Sequence, residues 1–156
     1  MTTSKQTAAD AFNKIKEHAD AHWHDLGKDK PVIMVGAATC GRAAGALEVL
    51  QTFKDEVKKR NLDCPVIEVG CMGHCYAEPL VIISKPGYPP ICYGYTNPVI
   101  AERLVKEFII GDNPCPEFVI GALEANDILP SFDDFPRSQY EKKIILKNCE
   151  IGRAHV

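Results

Sequence analysis

GCMGHCYAEPLVII, residues 70–83, sets two cysteines four positions apart, Cys71 and Cys75, at the mouth of a run of apolar β-formers. The run PLVIIS, 79–84, reads as a strand, and PVIEVG, 65–70, just before the cysteine loop, reads as another. A third β-branched run, PVIMVG at 31–36, is bounded by Pro31 and Gly36 and reads as a buried strand. Between 36 and 65 lies TCGRAAGALEVLQTFKDEVKKRN, whose Ala43, Leu47, Leu50, Phe53 and Val57 form one helical face, with Asn61 placed to close the helix in a left-handed conformation. A helix joining two strands predicts a parallel pair with a right-handed crossover.

ICYGY, 91–95, is a further strand, and KPGYPP before it supplies a turn, so 79–95 is expected to be an antiparallel hairpin. Asn97 then caps a helix with Pro98 in its first turn, running through VIAERLVKEFII to Gly111. At the other end, Ala8, Phe12, Ile15, Ala19, Trp23 and Leu26 recur at steps of three and four, which predicts an amphipathic N-terminal helix. The order βα-ββ-βα, with that additional helix in front, calls for a small mixed sheet covered by helices. The expected class is α/β with a thioredoxin-like arrangement.

The text changes after Gly111. Residues 112–139 carry four prolines and little periodicity and read as a linker, and YEKKIILKNC, 140–149, starts a new β-like run that ends almost at once. The last six residues, IGRAHV (151–156), resemble the translation of a sequencing-library adapter and are set aside as a non-native tail. The expected organisation is therefore an N-terminal helix (1–28), a thioredoxin-like domain (29–111), a linker (112–139) and the start of a truncated further domain (140–150).

Composition narrows the function classes. A net charge of −3 with neither sign gathered into a block gives no footprint for nucleic acid or an anionic membrane. There is no apolar stretch near the roughly 20 residues needed to span a bilayer and no basic-then-apolar leader pattern, so a cytoplasmic protein without membrane insertion is expected. Seven cysteines, an odd number, then argue for thiolate chemistry rather than a disulfide framework.

Cys40 stands where the first strand hands over to a helix, and a thiolate there is expected to be favoured by the helix's partial positive charge. Because parallel strands end on the same edge of a sheet, Cys40, Cys71 and Cys75 are predicted to converge. No Cys-x-x-Cys is present, which counts against a thiol-disulfide oxidoreductase. Structural zinc uses close cysteine pairs and remains a weaker alternative. An iron–sulfur cluster suits thiolates from separate loops with glycines nearby, here Gly36, Gly41, Gly70 and Gly73, and a [2Fe–2S] centre is the favoured reading. Cys64, Cys92, Cys115 and Cys149 read as apolar fillers or surface thiols, and His18 and His22 as solvated side chains.

GAATCGRAAGALEVL and VGCMGHCYAEPLVII together resemble the thioredoxin-like ferredoxin domain at the N-terminus of NADH-binding flavoprotein subunits, the family of complex I, bifurcating hydrogenases and benzoyl-CoA reductases. The resemblance runs through YGYTNP into YEKKIILKNC. It implies a [2Fe–2S] cluster held by Cys40, Cys71 and Cys75, electron transfer within an NADH dehydrogenase-like oxidoreductase, and other subunits of a multisubunit redox complex as partners. It further implies FMN, NAD and a [4Fe–4S] cluster in the downstream part that 140–150 would open. The family's Cys-x4-Cys would place a cysteine at 35, where this chain has Val35. Cys92, His74 or an oxygen donor stays open as fourth ligand. A cluster-free docking module and a zinc-stabilised version of the fold are the alternatives to a cluster domain.

Overall fold

In a computed structural model, residues 2–71, 73–136 and 140 of the 156 are described. A five-stranded mixed sheet has the order β2-β1-β3-β4-β5. Its strands are β1 (Val32–Gly36), β2 (Val66–Val69), β3 (Val81–Ser84), β4 (Ile91–Tyr93) and β5 (Val119–Ala122). β1 pairs parallel with β2 and antiparallel with β3, and β3–β4 is the expected antiparallel hairpin. The central position of β1 explains its unbroken apolar text, since all five of its residues are buried. Ile33 and Val35 belong to one core and Val32 and Met34 to the other, one on each face of the sheet.

The segment read as one helix from 39 to 61 is two. α2 (Thr39–Ala43) ends where Gly45 turns with φ 98°, and α3 (Ala46–Lys59) starts beyond it. The break resets the helical phase. α3 buries Ala46, Val49, Leu50 and Phe53, while Ala43 and Leu47, expected on the apolar face, are exposed. Asn61 closes α3 with φ 50°, and the Leu62 N–H returns to the Val57 carbonyl. α4 (Pro98–Arg103) begins as its sequence requires, the Asn97 side chain accepting from the Ile100 N–H at 3.0 Å. It then widens into π-type turns over Leu104–Ile110. α3 and α4 cover one face of the sheet with Phe53, Leu104 and Phe108.

The linker expectation over 112–139 is corrected within its middle. Val119–Ala122 pairs antiparallel with β4 and extends the sheet, and Phe132, from the turn that follows, packs on the second core. Four residues among prolines carry too little pattern to announce a strand. Its place is fixed instead by a close approach: a Cβ at Gly121 would stand 3.1 Å from the Phe132 ring. The expected start of a further domain at 140–150 and the tail at 151–156 lie outside the described residues, Tyr140 apart.

α1 (Thr2–Asp25) forms as expected, and two residues of its predicted stripe, Phe12 and Ile15, are 65% and 68% exposed. Just after it the chain passes close to the sheet, where Gly27 takes φ 87° and a Cβ would meet the Ser84 Cβ at 2.5 Å. None of the described helices is long and apolar enough to cross a membrane.

Magnitudes separate what holds this fold from what decorates it. Burying Phe53 completely contributes on the order of 1.5–3 kcal/mol, whereas the exposed Lys30–Asp63 pair at 2.7 Å adds ~1 kcal/mol at most. Lys85 is different. Its side chain is 11% exposed, and the ammonium donates to the Phe108 and Ile109 carbonyls at 2.6 and 3.1 Å and pairs with Asp112, which ties the hairpin turn to the end of the π-type turns that follow α4. Lys85→Met is expected to lose about 2 kcal/mol, read as a lower denaturant midpoint with an unchanged slope. Glu56 on α3 accepts from Lys59 at 2.8 Å and Arg60 at 2.9 Å, and these hydrogen bonds hold its carboxyl below the usual range. A depressed carboxylate contributes stability above its unfolded pKa and loses it as pH falls through the folded value. Glu56→Gln is therefore expected to cost about 1 kcal/mol at pH 7 and almost nothing near pH 3, measured by thermal unfolding at both.

Candidate metal centre

The parallel pairing of β1 and β2 fixes where the cysteines can be. Beyond the last paired residues, the Ala37 N–H donates to the Val69 carbonyl at 3.0 Å, and the Gly36 N–H donates to the Leu80 carbonyl at 2.9 Å. The end of β1 is thus bound on one side to the segment leading into Cys71 and on the other to the segment leaving Cys75. Cys40 lies in α2, which folds back so tightly that a Cβ on Gly41 would sit 2.2 Å from the Gly36 carbonyl oxygen. Only glycine permits that approach. Arg42 secures the turn, its Nε donating to the Ala37 carbonyl at 2.8 Å and its guanidinium pairing with Glu68 on β2.

The loop after β2 is bent by Gly73 at φ 97°, and the Gly73 N–H donates to the Cys71 sulfur at 3.3 Å. Cys75 then opens a short 3-10 turn, Cys75–Ala77, that brings its thiol back beside Cys71. The three sulfurs lie within 4.8 Å of one another. Cys71 is 3.6 Å from Cys40 and 3.5 Å from Cys75. Two thiolates sharing one tetrahedral metal at ~2.3 Å stand ~3.8 Å apart, so both separations are close to a coordination edge. Cys75 is exposed and the other two half-buried, which puts the group at the rim of the sheet with one side open to solvent.

The expectation that the helix terminus favours a Cys40 thiolate is corrected. Burial pushes the Cys40 thiol above its ordinary value, and the neighbouring Cys71 sulfur and Glu78 carboxylate add to the rise, although a hydrogen bond with Cys75 acts the other way. Burial raises Cys71 likewise, against the lowering effect of the Gly73 N–H. A helix of five residues has too little dipole to win against these effects. Such thiols are poor nucleophiles by themselves, but a soft cation would bind their ionised forms and remove the mutual repulsion. The donor set accordingly fits a metal ion or an iron–sulfur centre better than thiol catalysis.

The other sequence candidates are placed elsewhere. Val35 is fully buried in the helix-covered core, so the position matching the family's extra cysteine points its chemistry at Phe53 and its neighbours rather than at the three sulfurs. Cys92 is buried in the opposite core, burial driving its thiol far up, and it is not one of the converging group. The His74 ring stacks on Phe132 at 4.8 Å and meets Tyr76 edge-on. Cys64 and Cys115 are buried, their thiols pushed up to about 11 and about 12. Cys149 lies outside the described residues. His18 is exposed, and the His22 side chain is likewise outside them.

One residue at the site went unnoticed in the sequence. Glu78, 8% exposed, brings Oε1 to 3.5 Å from the Cys40 sulfur while Oε2 accepts from the Leu80 N–H at 2.9 Å. The available signal was an acid, in YAEPLVII, standing at the entrance to a buried strand where nothing solvates it.

Two solved structures of a thioredoxin-like [2Fe–2S] ferredoxin from Aquifex aeolicus share this fold. One matches with a TM-score of 0.53 at 22% identity, covering 59% of this chain and 97% of the ferredoxin. The other matches with a TM-score of 0.54 at 19% identity, covering 62% and 94%. The expected thioredoxin-like class is therefore the observed one. No protein-family model matches the chain. Among curated proteins, the HndB subunit of the NADP-reducing hydrogenase of Solidesulfovibrio fructosivorans is 37% identical over 86 residues, 54% of this chain and 68% of that subunit. With that identity spread over two thirds of the relative, on a fold shared with thioredoxin-like ferredoxins, this chain belongs to the family of the NADP-reducing hydrogenase subunit HndB.

Proposed function

We propose that the chain is an electron-transfer component whose [2Fe–2S] centre is held by Cys40, Cys71 and Cys75. The observation that carries this is the meeting of three thiols, from two loops, within 4.8 Å at one edge of the sheet. Such a centre, when bound, takes up and gives back one electron at a time. The protein's share is positional and electrostatic. The glycine-tight turn at Gly41 and the bend at Gly73 hold the thiols at their separations without help from a ligand. The Gly73 N–H on the Cys71 sulfur spreads negative charge away from that thiolate and so favours the more reduced state. The open side at Cys75 gives a partner a short route to the site.

The wider assignment follows the family. The chain would serve in an oxidoreductase assembly of the hydrogenase type, in a cytoplasmic setting, relaying electrons between other redox subunits and pyridine-nucleotide chemistry. FMN, NAD and a [4Fe–4S] cluster would belong to a neighbouring domain or subunit. The exposed Phe12 and Ile15 of α1 support a role inside an assembly rather than as a free carrier.

Anaerobic reconstitution with iron and sulfide is expected to give about two of each per chain, with a rhombic EPR signal on reduction. Uptake of zinc alone would assign the site to structural metal, and an intact fold that takes neither would leave a docking module. In the loaded protein, Cys71→Ser is expected to lower iron retained after desalting by about tenfold or more, because the Cys71 sulfur lies 3.6 Å from Cys40 and 3.5 Å from Cys75. Circular dichroism of the same sample checks that the fold survives.

A further inference from the structure

Three thiols leave a four-coordinate ligand set one short, and the position where the family pattern offers a fourth is filled by Val35 inside the core. What stands at the site is Glu78. Its carboxylate is held in a pocket that the chain goes to some length to make: the places a Cβ would occupy on Gly41 and Gly36 are 3.2 and 3.6 Å from Oε2. A side chain at Gly41 would crowd that oxygen as well as the Gly36 carbonyl.

Within this pocket the two oxygens have different tasks. Oε2 accepts from the Leu80 N–H at 2.9 Å, which fixes the rotation of the carboxylate, and Oε1 is left facing the Cys40 sulfur at 3.5 Å. The two Glu78 oxygens are thus engaged by one backbone N–H and one thiol, inside a residue that is 8% exposed. Burying a carboxylate is costly, and such groups are found paired or bound to metal. The separation from Cys40 is again close to a coordination edge, shorter than ~3.8 Å as an oxygen ligand at ~2.0–2.2 Å requires.

We infer that Glu78 is the fourth protein ligand of the centre, its Oε1 completing the set that Cys40, Cys71 and Cys75 begin. It rests on the cluster reading above. One iron then has an oxygen in its coordination shell and the other has sulfur alone.

Mössbauer spectroscopy of the full chain reconstituted with 57Fe reads this directly. Two doublets of equal area and unequal isomer shift are expected from the oxidised wild type. Glu78→Gln keeps an oxygen to accept from the Leu80 N–H but loses the anionic donor, and Glu78→Cys offers a thiolate instead. The glutamine variant is expected to retain about tenfold less iron after desalting with its circular dichroism unchanged. In the cysteine variant the two doublets are expected to converge. Equal doublets in the wild type overturn the inference and leave the cluster intact. Unequal doublets that persist unaltered in either variant overturn it too, because the oxygen donor is then another group. Wild-type protein that folds but takes no iron and sulfide removes the cluster reading itself, and Glu78's role with it.

Discussion

The parallel pairing of β1 with β2 is the constraint on which the site depends. A parallel pair must end both strands on one edge, and here the pairing is carried past the strands by the Ala37 N–H on the Val69 carbonyl. That single bond sets the start of the Cys40 turn beside the start of the Cys71 loop, 31 residues apart in sequence. β3 completes the enclosure by leaving the same edge antiparallel, tied through Gly36 to Leu80, so that Glu78 is delivered from a third direction. An antiparallel β1–β2 pair would have put Cys40 and Cys71 at opposite ends of the sheet.

The apolar packing supplies the rigidity that this arrangement needs. β1 is buried on both faces, between the α3 and α4 side chains and the smaller core of Met34, Ile82 and Cys92. Close packing of that kind leaves no room for a strand to slide, and a slip by one residue would exchange the two faces. The thiols themselves sit outside the packed region, at the rim, so their separations are inherited from the backbone beneath them. This division explains why glycines rather than large side chains dominate the site: Gly36, Gly41 and Gly73 let three backbone segments come close enough for short cysteine side chains to meet.

How much of this was legible in the sequence depended on whether a local rule or a contact was deciding. The β-branched runs of β1 and β3, the Asn97 cap and the left-handed Asn61 each obey rules that act over a few residues, and each is found where those rules place it. The meeting of the cysteines needed only one more step, since a helix between two strands implies their direction. The break at Gly45 was hidden because the periodicity of ALEVLQTF continues plausibly backward across it, although the true apolar face starts afresh at Ala46. β5 was hidden for the opposite reason. Its four residues carry no period, and they are recruited by contacts with β4 and the Phe132 turn that no local text announces. Glu78 belongs to the same class, because its burial comes from Gly36 and Gly41, some 40 residues upstream.

Electrostatics give the site its direction. Sulfurs lie 3.5 and 3.6 Å apart, with a carboxylate 3.5 Å from one of them, and the Cys71 sulfur and Glu78 carboxylate add to what burial does to the Cys40 thiol. Left alone, Cys40 and Cys71 hold their protons, which the upward displacement of both thiols expresses. A site built for nucleophilic attack would show the reverse, a cation or helix terminus drawing one thiol down. Here the anionic donors are gathered first, and the compensating charge has to come from what they bind. That ordering ties cofactor loading to proton release and makes it stronger as pH rises toward neutrality and beyond. The placement at the rim suits that ordering, because the exposed Cys75 leaves one side of the group open to solvent.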